Sequence, residues 1–479
     1  MNFVVMPDLQ DSQTWPTSEK MVGNVNPSNK GLNHSNKISM NDDFSDAQEL
    51  LHAWKGDSYH FGPGALDAAG GSAKAFGDNT LIVTNGSRWI QGALKTVKAS
   101  LKTSRVSSNT VLGAGPNTPL EDLYRIALHV ASHKPTSILA LGSGSTIDAC
   151  KAASVLSTYS PGEVAQALGI SWQQACTIDP YFGTGVVTKV RDTVNKDPLP
   201  VIAAQTGASS AAQLTKYSNI TDPVMRQKKL IVDDALVPKT ALFDYDVTLS
   251  APRDLTIDGG LDGVAHSWEV FMGATGKDYY SQLENLVPLS LRLIINYLPS
   301  AVKEPSNRKA RTALGLGTDL GGYAIMIGGT NGPHLGSFSL VDALSHGRAC
   351  GLLLPYYAVL FSEVIQPQLR TIAPVYREAG LLNDSAPSLE GRRLAEAIAA
   401  AMLQFNAALG VPTSLSMTGV SLDHLERMLN AAGDPVLKMK LMNMPLPLDP
   451  EKGHVDRYMR RVLEAAFTGD LSRVPVMEY

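Results

Sequence analysis

Cysteine is scarce in this chain. Its 479 residues carry three, Cys150, Cys176 and Cys350, and none stands in a Cys-x-x-Cys pair. That excludes a disulfide framework or a cysteine-rich zinc ribbon as the main stabilising device, and it suits a reducing compartment. Long apolar runs are missing as well, so no segment is expected to span a bilayer. There is no extended basic run and the formal net charge is −4, which argues against a nucleic-acid or anionic-membrane surface. The opening MNFVVMPDLQ has too short an apolar part for a secretory signal, and no basic region precedes it. A soluble, cytoplasmic protein is the expectation.

What is present reads as globular: 44% of residues are apolar and 18% charged, and the length suits two compact domains. Residues 1–44 are the exception. They are rich in Asn, Ser, Pro and Lys without apolar periodicity, and a flexible or loosely draped arm is expected there. From residue 45 to 250 short apolar runs alternate with helical patterns. TLIVTN, SNTVLG, SILALG, LPVIAAQTG, KKLIV and TALFD are strand candidates. The alternation predicts a largely parallel, helix-covered sheet. Residues 158–198 interrupt it with a polar, irregular stretch, read as a surface insertion or a lid. Beyond Ser250–Pro252 the strand signal fades into long amphipathic stretches, so 251–479 is predicted to be helical.

Two turns at strand ends could meet a ligand. Gly142, Ser143, Gly144 and Ser145 separate SILALG from a helix beginning near Thr146. Free N–H groups at such a helix start can hold a diphosphate, although a tight turn that binds nothing has the same pattern. Small and hydroxyl residues follow PVIAA in QTGASSAAQLT, and they suit either a nicotinamide-side pocket or a helix capped by Ser209 or Ser210. In LDGVAHSWEVF, Asp262 and His266 lie one helical turn apart among Leu261, Val264, Ala265, Trp268, Val270 and Phe271. A buried carboxylate there needs a partner or a metal. His334 and His346 complete a set of one carboxylate and three imidazoles, which suits Fe(II), Zn or Ni better than Mg or Ca. The other histidines, His34, His52, His60, His129, His133, His424 and His454, look incidental by position.

In order along residues 60–475, the chain resembles the iron-containing, metal-dependent alcohol dehydrogenase family. FGPGAL, LIVTN, GSGSTIDACK, TGASSAAQLT, LDGVAHSWE, SHGRACGLLLP and FTGDLSRVP each correspond to one of its motifs. The resemblance implies a Rossmann-like α/β dinucleotide-binding domain followed by an all-helical domain, the dehydroquinate synthase-like fold, with cofactor and metal meeting between them. It implies reversible hydride transfer between NAD or NADP and an aldehyde or ketone, in a family where homo-oligomers are common. It implies Asp262, His266, His334 and His346 as ligands of a divalent metal, iron or zinc. Asn85, Gly142, Ser143, Gly144, Ser145, Asp148, Thr206, Ser209, Ser210 and Thr215 become the cofactor-binding set.

The departures from the family pattern are specific. Phe338 stands where a second histidine is usual, which leaves the proton route open. Gln213 replaces a glutamate, Ser143 replaces a glycine, and the spacing from His334 to His346 is short. Asn85 offers no carboxylate to exclude NADP, and Arg88 follows it. A lyase resembling dehydroquinate synthase and a non-catalytic relative are the alternatives. The lyase needs a cluster of Lys and Arg around an anionic substrate, and near the metal motifs the sequence offers only Arg348.

Overall fold

The computed structural model describes residues 40–477. Residues 1–39 of the expected arm lie outside the described residues. The arm's last residues open a helix, Met40–Lys55, which packs on the later helix Arg308–Ile327. There Trp54 stacks on Tyr323 with ring centroids 4.4 Å apart.

Nine strands follow in chain order among the described residues. They are β1 (Tyr59–Phe61), β2 (Asn79–Thr84), β3 (Ser107–Leu112), β4 (Ser137–Gly142), β5 (Gly183–Thr184), β6 (Val201–Gln205), β7 (Tyr217–Asp222), β8 (Gln227–Val232) and β9 (Thr240–Phe243). Six form one parallel sheet in the order β1-β9-β6-β4-β2-β3. All of β4 and β6 is buried, because helices cover both faces, and for that reason these strands read as unbroken apolar runs rather than alternating ones. Gly142 pairs with Gln205 at the carboxyl ends of β4 and β6, so the turns that follow them stand side by side. The three remaining strands form a smaller sheet, β5-β8-β7, in which β7 and β8 are an antiparallel hairpin.

Residues 158–198 are more ordered than their polarity suggested. Short helices occupy Pro161–Leu168, Trp172–Ala175 and Val186–Val194. Two are fixed by reciprocal caps, Ser160 with Glu163 and Ser171 with Gln174. Each cap satisfies backbone donors locally, so these helices need little apolar signal to form.

From Arg253 onward the chain is helical. Arg253–Gly273 is buried over nearly its whole length from Thr256, surrounded by Tyr280–Lys303, Arg308–Ile327 and His346–Leu360. A helix buried all round shows no amphipathic stripe, which explains the apolar run around Asp262. The helical part and the sheet share one apolar core. Tyr59, Ala211, Leu214 and Phe243 pack in the same cluster as Trp268 and Leu352.

Candidate active site

A cavity of about 590 Å³ opens at the carboxyl ends of the parallel strands and reaches into the helical part. That is where ligands of open α/β sheets are expected to sit. One wall consists of turns: Asn85, Ser87 and Trp89 after β2, Gly115–Thr118 after β3, Ser143–Ser145 after β4, and Ser209, Ser210, Ala212 and Thr215 after β6. Gly144 is the first residue of a helix ending at Thr158. A Cβ at Gly144 would stand 2.5 Å from Ser210 Oγ, so the two loops touch here because this residue has no side chain.

Eight of the ten expected cofactor residues line the cavity: Asn85, Ser143, Gly144, Ser145, Asp148, Ser209, Ser210 and Thr215. Gly142 and Thr206 do not. The Thr206 N–H donates to the Gly142 carbonyl at 3.1 Å, and the pair joins the two turns from behind. The helix-cap alternative for Ser209 and Ser210 is not what the loop adopts, since only a 3₁₀ turn, Ala212–Leu214, forms there. Asp148 and Lys151 anchor the hairpin. Asp148 accepts from the Asn219 backbone and side-chain amides at 3.0 and 3.1 Å. Lys151 Nζ donates to the Thr215 and Tyr217 carbonyls, both at 2.8 Å. Gln213 is buried off the cavity and donates to Asp319. Arg88 is exposed and is not among the lining residues.

The opposite wall holds the predicted ligands. Asp262 and His266 come from Arg253–Gly273, His334 from the short helix Gly332–Ser337, and His346 from the first position of His346–Leu360. The Nε2 atoms of His266, His334 and His346 lie 3.6, 3.5 and 3.6 Å from one atom, Asp262 Oδ1. Ligands of a tetrahedral ion with bonds of about 2.0–2.1 Å stand roughly 3.4 Å apart, so these spacings fit one transition-metal ion. Asp262 Oδ1 and His334 Nε2 are buried and have no hydrogen-bond partner. Orphaned donors and acceptors of this kind are costly unless something else satisfies them.

The outer nitrogens set the tautomers. His334 Nδ1–H donates to Glu269 Oε1 at 2.6 Å. Ser337 Oγ–H donates to the His334 carbonyl at 2.7 Å, which leaves Ser337 Oγ to accept from His346 Nδ1–H at 3.0 Å. Both rings therefore turn an Nε2 lone pair toward Asp262. Burial lowers His266 to about 4. Burial and the Lys228 charge hold His346 well below its ordinary value. Burial opposes ionisation of Asp262, yet His266 and His346 hold its carboxyl far below the usual range. His334 moves upward against burial, under Cys350, Glu269 and Asp262.

Cys350 also belongs to this cluster, within 4.8 Å of donor atoms from Asp262, His334 and His346. Its Sγ lies 4.0 Å from His346 Nδ1, the nitrogen facing away from Asp262. Burial pushes its thiol up, which opposes the thiolate a ligand requires. His266 is not in that set of four, and its tie to the site is the 3.6 Å from its Nε2 to Asp262 Oδ1.

Family models match on both sides of the cavity. Residues 57–245 match iron-containing alcohol dehydrogenase, and residues 256–445 match the C-terminal model of the Fe-containing alcohol dehydrogenase family. The chain belongs to the iron-containing alcohol dehydrogenase family. It is 25% identical over 416 residues to long-chain-alcohol dehydrogenase 1 of Geobacillus thermodenitrificans, covering 86% of this chain and 95% of that one. It is 25% identical to 1,3-propanediol dehydrogenase of Citrobacter freundii, covering 75% of this chain and 86% of that relative. An alcohol dehydrogenase from Oenococcus oeni shares the fold, with a TM-score of 0.71 at 23% identity over 86% of this chain and 98% of the other. An archaeal Red Sea brine pool alcohol dehydrogenase does so with a TM-score of 0.72 at 20% identity, covering 86% and 97%. As a member of this family the chain is an oxidoreductase.

Several residues at the site escaped the sequence reading of this family member. Glu269 lies behind the lining, where it fixes His334 and accepts from the Asn331 backbone N–H at 2.8 Å. Its position seven residues after Asp262 on the same helix was the available signal. Gly115–Thr118 closes the nucleotide side, as a glycine-containing turn after a strand candidate could have indicated. Lys228 on β8 and Lys440 on the short helix Lys438–Met442 also line the cavity. Arg348, the basic residue singled out near the metal motifs, is committed to Asp254 and Asp258 at 2.7 and 2.9 Å.

Proposed function

We propose that this protein interconverts an alcohol and the corresponding aldehyde or ketone at a divalent metal held by Asp262, His266, His334 and His346. The observation that carries the reading is the convergence of three Nε2 atoms on Asp262 Oδ1, in the cavity that the strand-end turns also line. When bound, the metal supplies Lewis-acid polarisation of a carbonyl oxygen and the nicotinamide supplies or accepts hydride.

The chain's own groups do the rest. Ser143, Gly144 and Ser145 offer N–H groups at a helix start to a diphosphate. Ser209, Ser210 and Thr215 flank the path from that turn to the imidazoles. Glu269 and Ser337 hold His334 and His346 in one tautomer, so neither has to reorient. Asn85 puts no negative charge at the end of β2, and Arg88 lies off the lining, so the wall suits NAD and NADP alike. Three free cysteines, two of them buried, favour a cytoplasmic setting, and a homo-oligomer is the assembly expected.

Metal content of the purified protein, with NADH and NADPH absorbance followed over short aldehydes, tests the reading. The expectation is about one divalent ion per chain, and turnover that falls on the order of a thousandfold in His266→Ala. A metal-loaded protein that reduces no aldehyde or ketone would overturn it.

A further inference from the structure

Two lysines in the cavity have no partner that explains their burial. Lys228 is 5% exposed and Lys440 is 3% exposed. Neither forms an ion pair with a carboxylate among the described residues. Lys440 Nζ donates to Thr330 Oγ1, just ahead of Asn331 and His334. The two ammonium groups lie 5.9 and 5.4 Å from the centroid of a single ring, that of Phe338. That ring in turn stands 6.0 Å from the His346 ring. The hairpin brings Lys228 here, and its backbone N–H donates to the Phe338 carbonyl at 3.1 Å.

No carboxylate on the cavity wall pairs with either lysine, although Asp262 bears on both and Asp148 on Lys228 from a distance. Asp148 holds Asn219, Asp258 holds Arg348, and Asp262 is surrounded by imidazoles. Glu269, the acid that bears most on Lys440, accepts from His334 and Asn331. A phenyl face attracts a cation but does not neutralise one. Two buried ammonium groups beside a cationic metal call for negative charge from outside the chain.

We infer that Lys440, with Lys228, binds an anionic group on the substrate, a carboxylate or sulfonate carried a few bonds from the carbon that exchanges hydride. This rests on the proposed function and narrows it from alcohols in general to hydroxy acids and their oxo counterparts. Phe338 then supplies a wall rather than a proton carrier, with both ammonium groups near its ring. On the proposed reading the dinucleotide's own phosphates belong to the turn after β4.

The test compares 3-hydroxypropanoate and 2-hydroxyethanesulfonate with 1-propanol, using the metal-loaded enzyme and saturating NAD+. Wild type is expected to favour one or both anions in kcat/KM. Lys440→Met should lower that preference roughly 10- to 100-fold, and Lys440→Arg should restore part of it. Calorimetry on the metal-free protein with NAD+ gives a readout apart from turnover: 3-hydroxypropanoate binds wild type and binds Lys440→Met at least about tenfold more weakly. Lys228→Met repeats the comparison should the first variant fail to fold. Preference for 1-propanol in wild type, or a loss in Lys440→Met that is equal for all three substrates or confined to the KM for NAD+, overturns the inference. Absence of turnover with every substrate, with anion binding intact, would instead remove the oxidoreductase reading and leave the anion site standing.

Discussion

The two walls of the cavity are built from different materials. The nucleotide wall is mostly backbone and small hydroxyls at strand ends, so its ligand-binding capacity comes from where the chain turns. The metal wall is side chains on three helices, and its capacity comes from how closely those helices approach. Turns of the first kind tolerate sequence change as long as the backbone can pass. Clusters of the second kind depend on residues that never touch the ligand but hold the helices in register.

The largest effect is expected where the walls meet. A Cβ at Gly259, in Arg253–Gly273, would stand 1.8 Å from the Ala208 carbonyl oxygen in the loop after β6. The obstacle is backbone, so no rotamer change relieves it. Gly259→Ala should force the helix away from the loop. The expected outcome is insoluble protein or a Tm lower by roughly 10 °C or more. A soluble variant with unchanged Tm and intact cofactor binding would mean that the two walls are less tightly joined than their separation indicates.

How much of this was legible from the sequence follows the same division. The turns after β2, β4 and β6 could be read because an apolar run ending in Gly, Asn or Thr is a local signal. Asp262 and His266 were visible as an i,i+4 pair, and the resemblance added His334 and His346. Lys228 and Lys440 were not visible, because a lysine becomes unusual only when the fold buries it and withholds a carboxylate. Lys228 sits in QKKLIV, where Lys229 is the ordinary member, paired with Asp179 and Asp222. Two of the three helices within 158–198 were missed because their stabilisation is in caps. The strand β7 was missed because YSNITD has little apolar content and owes its place to pairing with β8.

A second join between the walls lies behind the cavity and has a pH dependence. Asp319 of Arg308–Ile327 is buried against the strand side. It accepts from Tyr59 at 2.5 Å, Gln213 at 2.8 Å and Tyr245 at 3.3 Å. Burial raises its carboxyl to about 7, against the hydrogen bonds that favour the ion. Its folded value therefore lies above its unfolded one, so its contribution to stability is complete below about pH 4 and is lost as pH rises toward 7. Relative to Asp319→Asn, wild type should lose up to roughly 1.4 kcal/mol per pH unit across that window. Chemical denaturation of both proteins at several pH values checks it. Parallel curves would show that the carboxyl titrates normally.

The smallest effect separates holding a metal from surrounding one. Glu269 touches no donor atom of the proposed ligand set directly, but its two oxygens accept from His334 Nδ1–H, the Asn331 N–H and, at 3.4 Å, the His334 N–H. In Glu269→Gln one of those oxygens becomes an NH2 group, which must face one of these donors. The helix Gly332–Ser337 would then shift, or the His334 ring would turn its Nε2 from Asp262. Metal affinity should fall about 10- to 100-fold, with secondary structure preserved. A chelator-competition titration by metal, with circular dichroism as the control, measures both. Unchanged affinity would mean that the three imidazoles are positioned by helix packing alone, and the metal wall would then resemble the nucleotide wall in depending on backbone rather than on side-chain support.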